Sequence, residues 1–412
     1  MRMKNFKFKM VFFIILVSVF FPLQIFAQGA EGGDFNVNSF QKFWFNTGFA
    51  NLNPNYLIMI LIGLLFIYLG IAKKWQPVWL LPVGFGILVG NIPLVSGFQI
   101  GIFENGSVLN ILYGGIQHGW LPALIFLGIG AITDFSVLIS NPKLLLLGAA
   151  GQLGIFVTIL GAYHWGFSPV QSGAMSMIGA GDVPTSIFLS SHLSPELVSP
   201  IALSAYAFIA LLPFLQKPVM KLLTTDNEKK IKMKQPRQVS RLEKIIFPIV
   251  GLLLTTFISP NALPLLGMLF LGNLLKESSV TEHMAETART ALFNTALILM
   301  GLMIGASAQA DIILTANTLK IFVIGAIAFV VASSGGVLLA KFMNLFLKKE
   351  SKINPLIGSA GVAAIPGAAR VAHEVGLSYD NTNHLLSHAV APNAAGLIGS
   401  AMAAGILLGM LA

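Results

Sequence analysis

The chain has no cysteine and few charged residues, and each absence excludes a class of function. Without thiols there can be no disulfide, no thiolate metal site and no cysteine nucleophile. Charged residues make up 10% of the 412 residues, whereas ordinary soluble domains have about 25%. Hydrophobic residues make up 55%, so the sequence predicts a polytopic membrane protein. The net charge of +9 arises mainly in loops, which indicates membrane orientation better than nucleic-acid binding.

The first residues are typical of a targeting segment. Basic residues between Arg2 and Lys9 precede an apolar run from Met10 to Phe26, and Ala27 follows as a cleavage point. We expect residues 1–27 to be a signal peptide or a first membrane anchor. Residues 28–55 are then an extracytoplasmic interfacial segment.

Apolar segments long enough, or nearly long enough, to cross a bilayer fill most of the remaining chain. They lie near residues 56–72, 75–96, 119–138, 143–163, 197–216, 245–259, 261–275, 292–309, 319–343 and 383–410. A loop rich in lysine and arginine, residues 217–244, divides them into a transmembrane repeat 1 (56–216) and a transmembrane repeat 2 (245–412). The positive-inside rule places this loop in the cytoplasm.

Each half also contains a segment broken by glycine and proline, at residues 168–192 and 353–373. The distribution of basic residues requires each broken segment to enter and leave on one side, which leaves five crossings per half. An odd number of crossings inverts the second half relative to the first. The predicted fold is therefore an all-α polytopic membrane protein with two inverted repeats, each of about five transmembrane helices plus a broken re-entrant helical hairpin.

Asp182 is a lone carboxylate within the first broken segment, in an apolar stretch with no cation nearby in sequence. Gly179, Gly181 and Pro184 argue against a continuous helix around it. Intramembrane carboxylates are rare and usually bind an ion or carry a proton. The alternative is a carboxylate that only caps a half-helix.

Four further polar residues accompany the broken segments. Arg370 is either a bidentate clamp for an anionic group or a structural partner for a carboxylate. The amide oxygens of Asn354 and Asn393 are suited to a hard cation, although asparagine beside proline is also common turn chemistry. Tyr206 is either a packing residue or a proton donor.

Several motifs give the chain a resemblance to the beta subunit of the sodium-translocating biotin-dependent decarboxylases. These membrane pumps act on oxaloacetate, methylmalonyl-CoA, glutaconyl-CoA or malonate. The likeness covers nearly all of the chain after the signal-like segment. It rests on Thr47 to Phe49, Pro82 to Ile92, Gly128 to Lys143, Gly148 to Phe156, the Asp182 motif, Asn354 to Arg370, and Pro392 to Gly396.

The resemblance implies a sodium-transporting decarboxylase subunit, a translocase, in the bacterial cytoplasmic membrane. Such a subunit accepts carboxybiotin carried by a partner, releases CO2 with uptake of a proton from outside, and moves Na+ outward. The implied partners are a carboxyltransferase alpha subunit, a biotin carrier domain and a small membrane gamma or delta subunit, and self-association is a further expectation. No nucleic acid is expected.

The resemblance also assigns site residues. Asp182 and Arg370 take catalytic roles, and Asp182, Asn354, Asn393 and Gly358 take sodium-binding roles, with the metal ion at Asp182 and Asn393. Three departures remove features that the family usually has, and they put the ion stoichiometry in question. They are Val183 in place of glycine, Ala363 in place of serine, and Phe208 in place of tyrosine.

Residue chemistry alone leaves one alternative open. A secondary transporter, either a Na+/H+ antiporter or an organic-anion carrier, has the same inverted broken-helix architecture and no decarboxylase activity.

Overall fold

The computed structural model of the protein describes residues 43–94 and 99–412. Within these residues the chain forms helices and no β-strand, which confirms the predicted all-α class. The predicted signal segment and the first part of the predicted extracytoplasmic segment lie outside the described residues.

The described helices fall into two groups, one before and one after the basic loop. The first half contains α1 (Pro54–Ala72), α2 (Pro77–Gly90), α3 (Val108–Gln117), α4 (Trp120–Ile132), α5 (Leu145–Gly151), α6 (Leu153–His164), α7 (Pro169–Met175), α8 (Val183–Leu193) and α9 (Val198–Leu223). The second half contains α10 (Arg241–Ile258), α11 (Leu263–Glu277), α12 (Phe293–Ser307), α13 (Ala316–Phe346), α14 (Gly367–Tyr379) and α15 (Leu386–Leu411). Short 3-10 helices lie within the broken segments at Ser176–Ile178 and Pro355–Gly361.

Among the described residues, six helical segments are long and apolar enough to cross a membrane, and a seventh results if α3 and α4, bent by 62°, form one span. They are Pro54–Ala72, Pro142–His164, Pro195–Leu223, Glu282–Ser307, Ala316–Phe346 and Leu386–Leu411. The other predicted spans are helical as well. With 14 and 15 residues, α2 and α11 are shorter than the roughly 20 residues of a typical crossing. Five crossings per half therefore remains a prediction.

Glycine permits close contact between the two halves. Helix α2 packs against α12, and α4 packs against α11. A side chain at Gly86 would collide with the carbonyl oxygen of Leu302, and one at Gly272 would collide with that of Leu127. The second predicted span of each half thus packs against the third of the other. An inverted repeat predicts this reciprocal pairing, and the repeat itself remains a prediction.

The two broken segments have their ends at opposite faces of the molecule. In the first, Gln171 near the start donates a hydrogen bond to Glu196 after the end, at 3.4 Å. In the second, Asn354 at the start and Asn383 after the end both donate to the carbonyl oxygen of Lys229, each at 3.0 Å. Lys229 belongs to the basic loop, and Glu196 lies at the far end of α9 from that loop. The two ends of each segment therefore lie near each other, and re-entry of each segment into the membrane from one side stays a prediction.

Candidate cation site and adjacent groove

Asp182 lies at the break between the two short helices of the first broken segment. Gly181, immediately before it, has a φ of +71°, a backbone conformation that glycine adopts without strain. Asp182 is the N-cap of α8, and its Oδ1 accepts a hydrogen bond from the backbone N–H of Thr185 at 3.1 Å. Asp182 therefore does cap a half-helix, as one of the two predictions had it. The capping hydrogen bond uses one of the two carboxylate oxygens, Oδ1.

The other oxygen of Asp182 accepts two hydroxyl hydrogen bonds. Thr185 Oγ1 donates to Oδ2 at 2.6 Å, and Ser400 Oγ on α15 donates to the same atom. Asp182 is only 1% exposed. The backbone N–H of Thr185 can only donate, whereas the two hydroxyls can donate to an ionised carboxylate or accept from a protonated one.

No cationic side chain of the described residues balances this carboxylate. The ion pairs within the described residues leave Asp182 without a lysine, arginine or histidine partner. An uncompensated buried charge is costly, and proteins relieve it with a counter-ion or a proton. The surroundings of Asp182 are therefore suited to a small cation.

The break of the second broken segment lies against the first. The backbone N–H of Ala363 donates to the carbonyl oxygen of Ala180 at 2.8 Å. The amide nitrogen of Asn393 donates to the carbonyl oxygens of Ala360 and Val362 at 3.1 and 2.6 Å. Within the described chain, the amide oxygen of Asn393 has no hydrogen-bond donor. Asn393 therefore holds the second break in place, and its role in sodium binding stays a prediction.

A cavity of about 10 Å³ adjoins Asp182. It holds about one water-sized sphere, so it suits a single ion or water molecule and excludes an organic substrate. Its walls come from both broken segments and from α2, α4, α9 and α15. They include Trp79, Ile129, Asp182, Val183, Ile209, Ala363, Ala364, Ile365 and Leu397.

Arg370 lies in a separate and wider groove of about 240 Å³. Lys74, Gln76 and Glu374 also line this groove, which opens near the face of the basic loop. Arg370 is exposed, and its guanidinium has no ion pair within the described chain. Lys217 forms an ion pair with Glu374 at 2.9 Å, so Glu374 does not neutralise Arg370. The predicted alternative of a carboxylate partner for Arg370 is not realised in this structure.

One short stretch of chain connects the two cavities. Ala363, Ala364 and Ile365 line the cavity at Asp182, and Gly367 and Arg370 line the groove. A movement of this stretch would change the shape of both the cavity at Asp182 and the groove at Arg370. The anion-binding candidate and the cation-binding candidate are thus adjacent but distinct.

Asn354 and Gly358 are not in contact with Asp182. The amide oxygen of Asn354 accepts from the backbone N–H of Leu356 at 3.0 Å, and its nitrogen donates to the basic loop. A side chain at Gly358 would collide with the carbonyl oxygen of Gly336 on α13. Both residues therefore position the second broken segment, and their role in sodium binding stays a prediction.

Tyr206 is fully buried, and its hydroxyl has no hydrogen-bond partner among the described residues. Its ring lies 5.7 Å from that of Trp79, which lines the cavity at Asp182. Phe208 packs instead against Phe322 on α13, with ring centroids 6.1 Å apart. Of the three departures from the family pattern, Val183 and Ala363 thus line the cation cavity and Phe208 does not.

Ser400 is the site residue that the sequence did not single out. It follows Asn393 by seven residues on α15, so the two lie on the same face of the helix two turns apart. That spacing was a usable signal. A hydroxyl in a membrane helix usually bonds its own backbone, which makes the signal weak. Ser400 Oγ also lies 2.9 Å from the carbonyl oxygen of Leu397, so its single hydrogen is shared between that oxygen and Asp182.

Comparison with known proteins agrees with the resemblance. A family model described as the Na+-transporting oxaloacetate decarboxylase beta subunit matches residues 55–411. The methylmalonyl-CoA decarboxylase subunit beta of Propionigenium modestum is 48% identical over 89% of this chain and 98% of its own. The oxaloacetate decarboxylase beta chain of Klebsiella pneumoniae is 44% identical over 88% and 96%. The glutaconyl-CoA decarboxylase subunit beta of Acidaminococcus fermentans is 43% identical over 89% and 96%.

Proposed function

The chain belongs to the Na+-transporting oxaloacetate decarboxylase beta subunit family, and we propose that it couples decarboxylation of carboxybiotin to outward movement of Na+ through Asp182. It is a multi-pass membrane subunit of a multi-subunit decarboxylase. The relatives are named for different acids and have similar identities to this chain. This supports a subunit that acts on a common intermediate, carboxybiotin, rather than on the acid.

The observation that carries the proposal is the buried, unpaired carboxylate of Asp182 beside an ion-sized cavity. Sodium is the transported substrate here. Oxygen-only ligation suits hard cations, and the oxygens available are those of Asp182, Thr185, Ser400 and the amide of Asn393. Asn354 and Gly358 contribute by placing the second break against the first.

Arg370 binds the carboxylate of carboxybiotin in the groove that it lines. A guanidinium matches a carboxylate with two parallel hydrogen bonds, and this one is exposed on the side of the basic loop. A biotin carrier domain of a partner subunit would deliver the carboxylated cofactor from that side. The alpha and the gamma or delta subunits would complete the complex.

Decarboxylation breaks the bond between the carboxylate carbon and the ureido nitrogen, whose electron pair then takes up a proton while CO2 leaves. We assign the proton to a path that includes Tyr206 and Asp182. Asp182 holds either Na+ or a proton, so inward movement of a proton accompanies outward movement of Na+. The stretch from Ala363 to Arg370 transmits occupancy of the groove to the cation site.

The test uses the whole complex reconstituted in vesicles, with Na+-stimulated decarboxylation of free carboxybiotin and Na+ uptake measured together. Asp182→Asn is expected to abolish Na+ stimulation and uptake. Arg370→Lys is expected to raise the KM for carboxybiotin because lysine lacks the bidentate fork. Arg241→Lys, at an arginine that binds only the carbonyl oxygen of Ser278, is the matched control.

Retention of Na+-dependent decarboxylation at the parental rate by Asp182→Asn would contradict the central role of Asp182. The secondary-transporter alternative is not favoured, because the matched relatives are decarboxylase subunits. It predicts Na+ uptake driven by an ion gradient alone, without carboxybiotin.

A further inference from the structure

A second polar cavity of about 240 Å³ lies on the side of the basic loop. Three separate segments form it: residues 140–143 before α5, residues 233–237 of the basic loop, and residues 350–353 before the second broken segment. It shares no lining residue with the groove at Arg370. The cavity therefore joins both halves of the protein and the loop between them.

The cavity is strongly cationic. Lys143, Lys234 and Lys352 line it, and none of them forms an ion pair within the described chain. Arg237 also lines it but is bound by Glu243, with Nη1 to Oε1 at 3.1 Å. The guanidinium of Arg237 lowers the pKa of Glu243 to about 2, which marks this pair as satisfied.

Among the described lining residues, Glu350 supplies one carboxylate against the three ammonium groups that have no ion pair. Asn141 and Gln235 add amide donors to the wall. Three cations and two amides against one carboxylate form a site for an anion with several acceptor oxygens. A phosphate group has this chemistry.

The position of the cavity identifies the source of the phosphate. Lys143 follows Pro142, the first residue of the span Pro142–His164. Leu145 and Leu146, two and three residues after Lys143, are 44% and 53% exposed and lie on the apolar surface of that span. A charged cavity is thus continuous with an exposed apolar surface. A phospholipid has the matching order of headgroup and acyl chain, and basic pockets at cytoplasmic helix ends bind anionic headgroups.

We propose that this cavity binds the phosphate of an anionic phospholipid of the cytoplasmic leaflet, with its acyl chains against the start of α5. The bound lipid connects the start of α5, the basic loop and the entry to the second broken segment. Binding to the folded state alone stabilises the protein by mass action. This inference does not depend on the proposed decarboxylase chemistry.

The full chain, purified and depleted of lipid, is reconstituted in nanodiscs of phosphatidylcholine alone or with phosphatidylglycerol, and thermal unfolding is followed. Native mass spectrometry of the protein released from mixed nanodiscs reports bound lipid. We expect phosphatidylglycerol to raise the unfolding midpoint and to remain bound. Lys143→Gln with Lys352→Gln should weaken retention of phosphatidylglycerol by roughly tenfold or more.

Lys221→Gln with Lys230→Gln is the matched control, because it removes the same charge from the same side and neither residue lines the cavity. It should retain the lipid like the parent protein. The single variants Lys143→Gln and Lys352→Gln, measured in the same way, serve if the double variant does not fold.

Three outcomes would overturn the proposal. The cavity variant could keep its preference for phosphatidylglycerol, or the control could lose that preference equally. Inorganic phosphate added to phosphatidylcholine nanodiscs could also reproduce the full stabilisation, which would make the ligand a free anion and not a lipid.

Discussion

Replacing Ser400 with alanine removes one of the three hydrogen bonds that the carboxylate of Asp182 accepts. The change deletes a single oxygen atom from a fully buried position and leaves the N-cap bond of Thr185 in place. We therefore expect α8 to keep its position. The substitution should make the charged form of the Asp182 carboxylate less stable and remove one oxygen ligand available to Na+.

The magnitude follows from the charge of the acceptor. A hydrogen bond to an ionised group contributes about 1.5–3 kcal/mol, and each 1.4 kcal/mol corresponds to about a tenfold change in an equilibrium constant. Ser400→Ala should raise the Na+ concentration for half-maximal decarboxylation by roughly 10- to 100-fold. The rate at saturating Na+ should fall much less, because Arg370 and its groove are unchanged.

The assay is a Na+ titration of carboxybiotin decarboxylation by the complex in vesicles, with Ser204→Ala as the matched control. Ser204 is equally buried, but its hydroxyl donates only to the carbonyl oxygen of Ile201 within its own helix, at 2.8 Å. If Ser400→Ala and Ser204→Ala gave the same half-saturating Na+ as the parent protein, the assignment of Ser400 to the cation site would be refuted.

Other substitutions test neighbouring contacts. Thr185→Ser should keep Na+-dependent activity because it keeps the hydroxyl bound to Asp182, whereas Thr185→Val should lose it in the same titration. Gly179→Ala places a side chain against the carbonyl oxygen of Gly154 and should destabilise the protein by about 1–3 kcal/mol or more, seen as a lower unfolding midpoint. Gly267→Ala, whose nearest neighbour would be a Leu263 side-chain atom at 3.7 Å, should not lower that midpoint. Asn393→Ala releases the carbonyl oxygens of Ala360 and Val362 and should reduce both Na+ affinity and stability.

The position of Asp182 shows how far sequence reasoning extends. The break in the helix at Asp182 was predictable because glycine and proline act on the backbone over a few residues. Its N-cap bond to Thr185, three residues away, is local in the same sense. The contact with Ser400 spans 218 residues and depends on how α15 is rotated against the hairpin.

The roles of Asn354 and Arg370 depended equally on tertiary contacts. A polar residue in a broken segment looks the same in sequence whether it faces an ion or a neighbouring loop. In the structure, Asn354 donates to the carbonyl oxygens of Lys229 and Ile231, and Arg370 lines an open groove. The partners of Asn354 are 125 and 123 residues away along the chain, and the proposed partner of Arg370 is a ligand.

Composition, hydrophobic length and breaks at glycine or proline act locally, so the sequence was sufficient to predict the membrane class, the all-α fold, the two broken segments and the family. Which polar residues meet became clear from the tertiary structure. It placed Ser400 against Asp182, joined Asn393 to the second break, separated Arg370 from Asp182, and gathered Lys143, Lys234 and Lys352 around one cavity. Those groupings depend on the packing angles and rotations of helices distant in sequence, which no local pattern records.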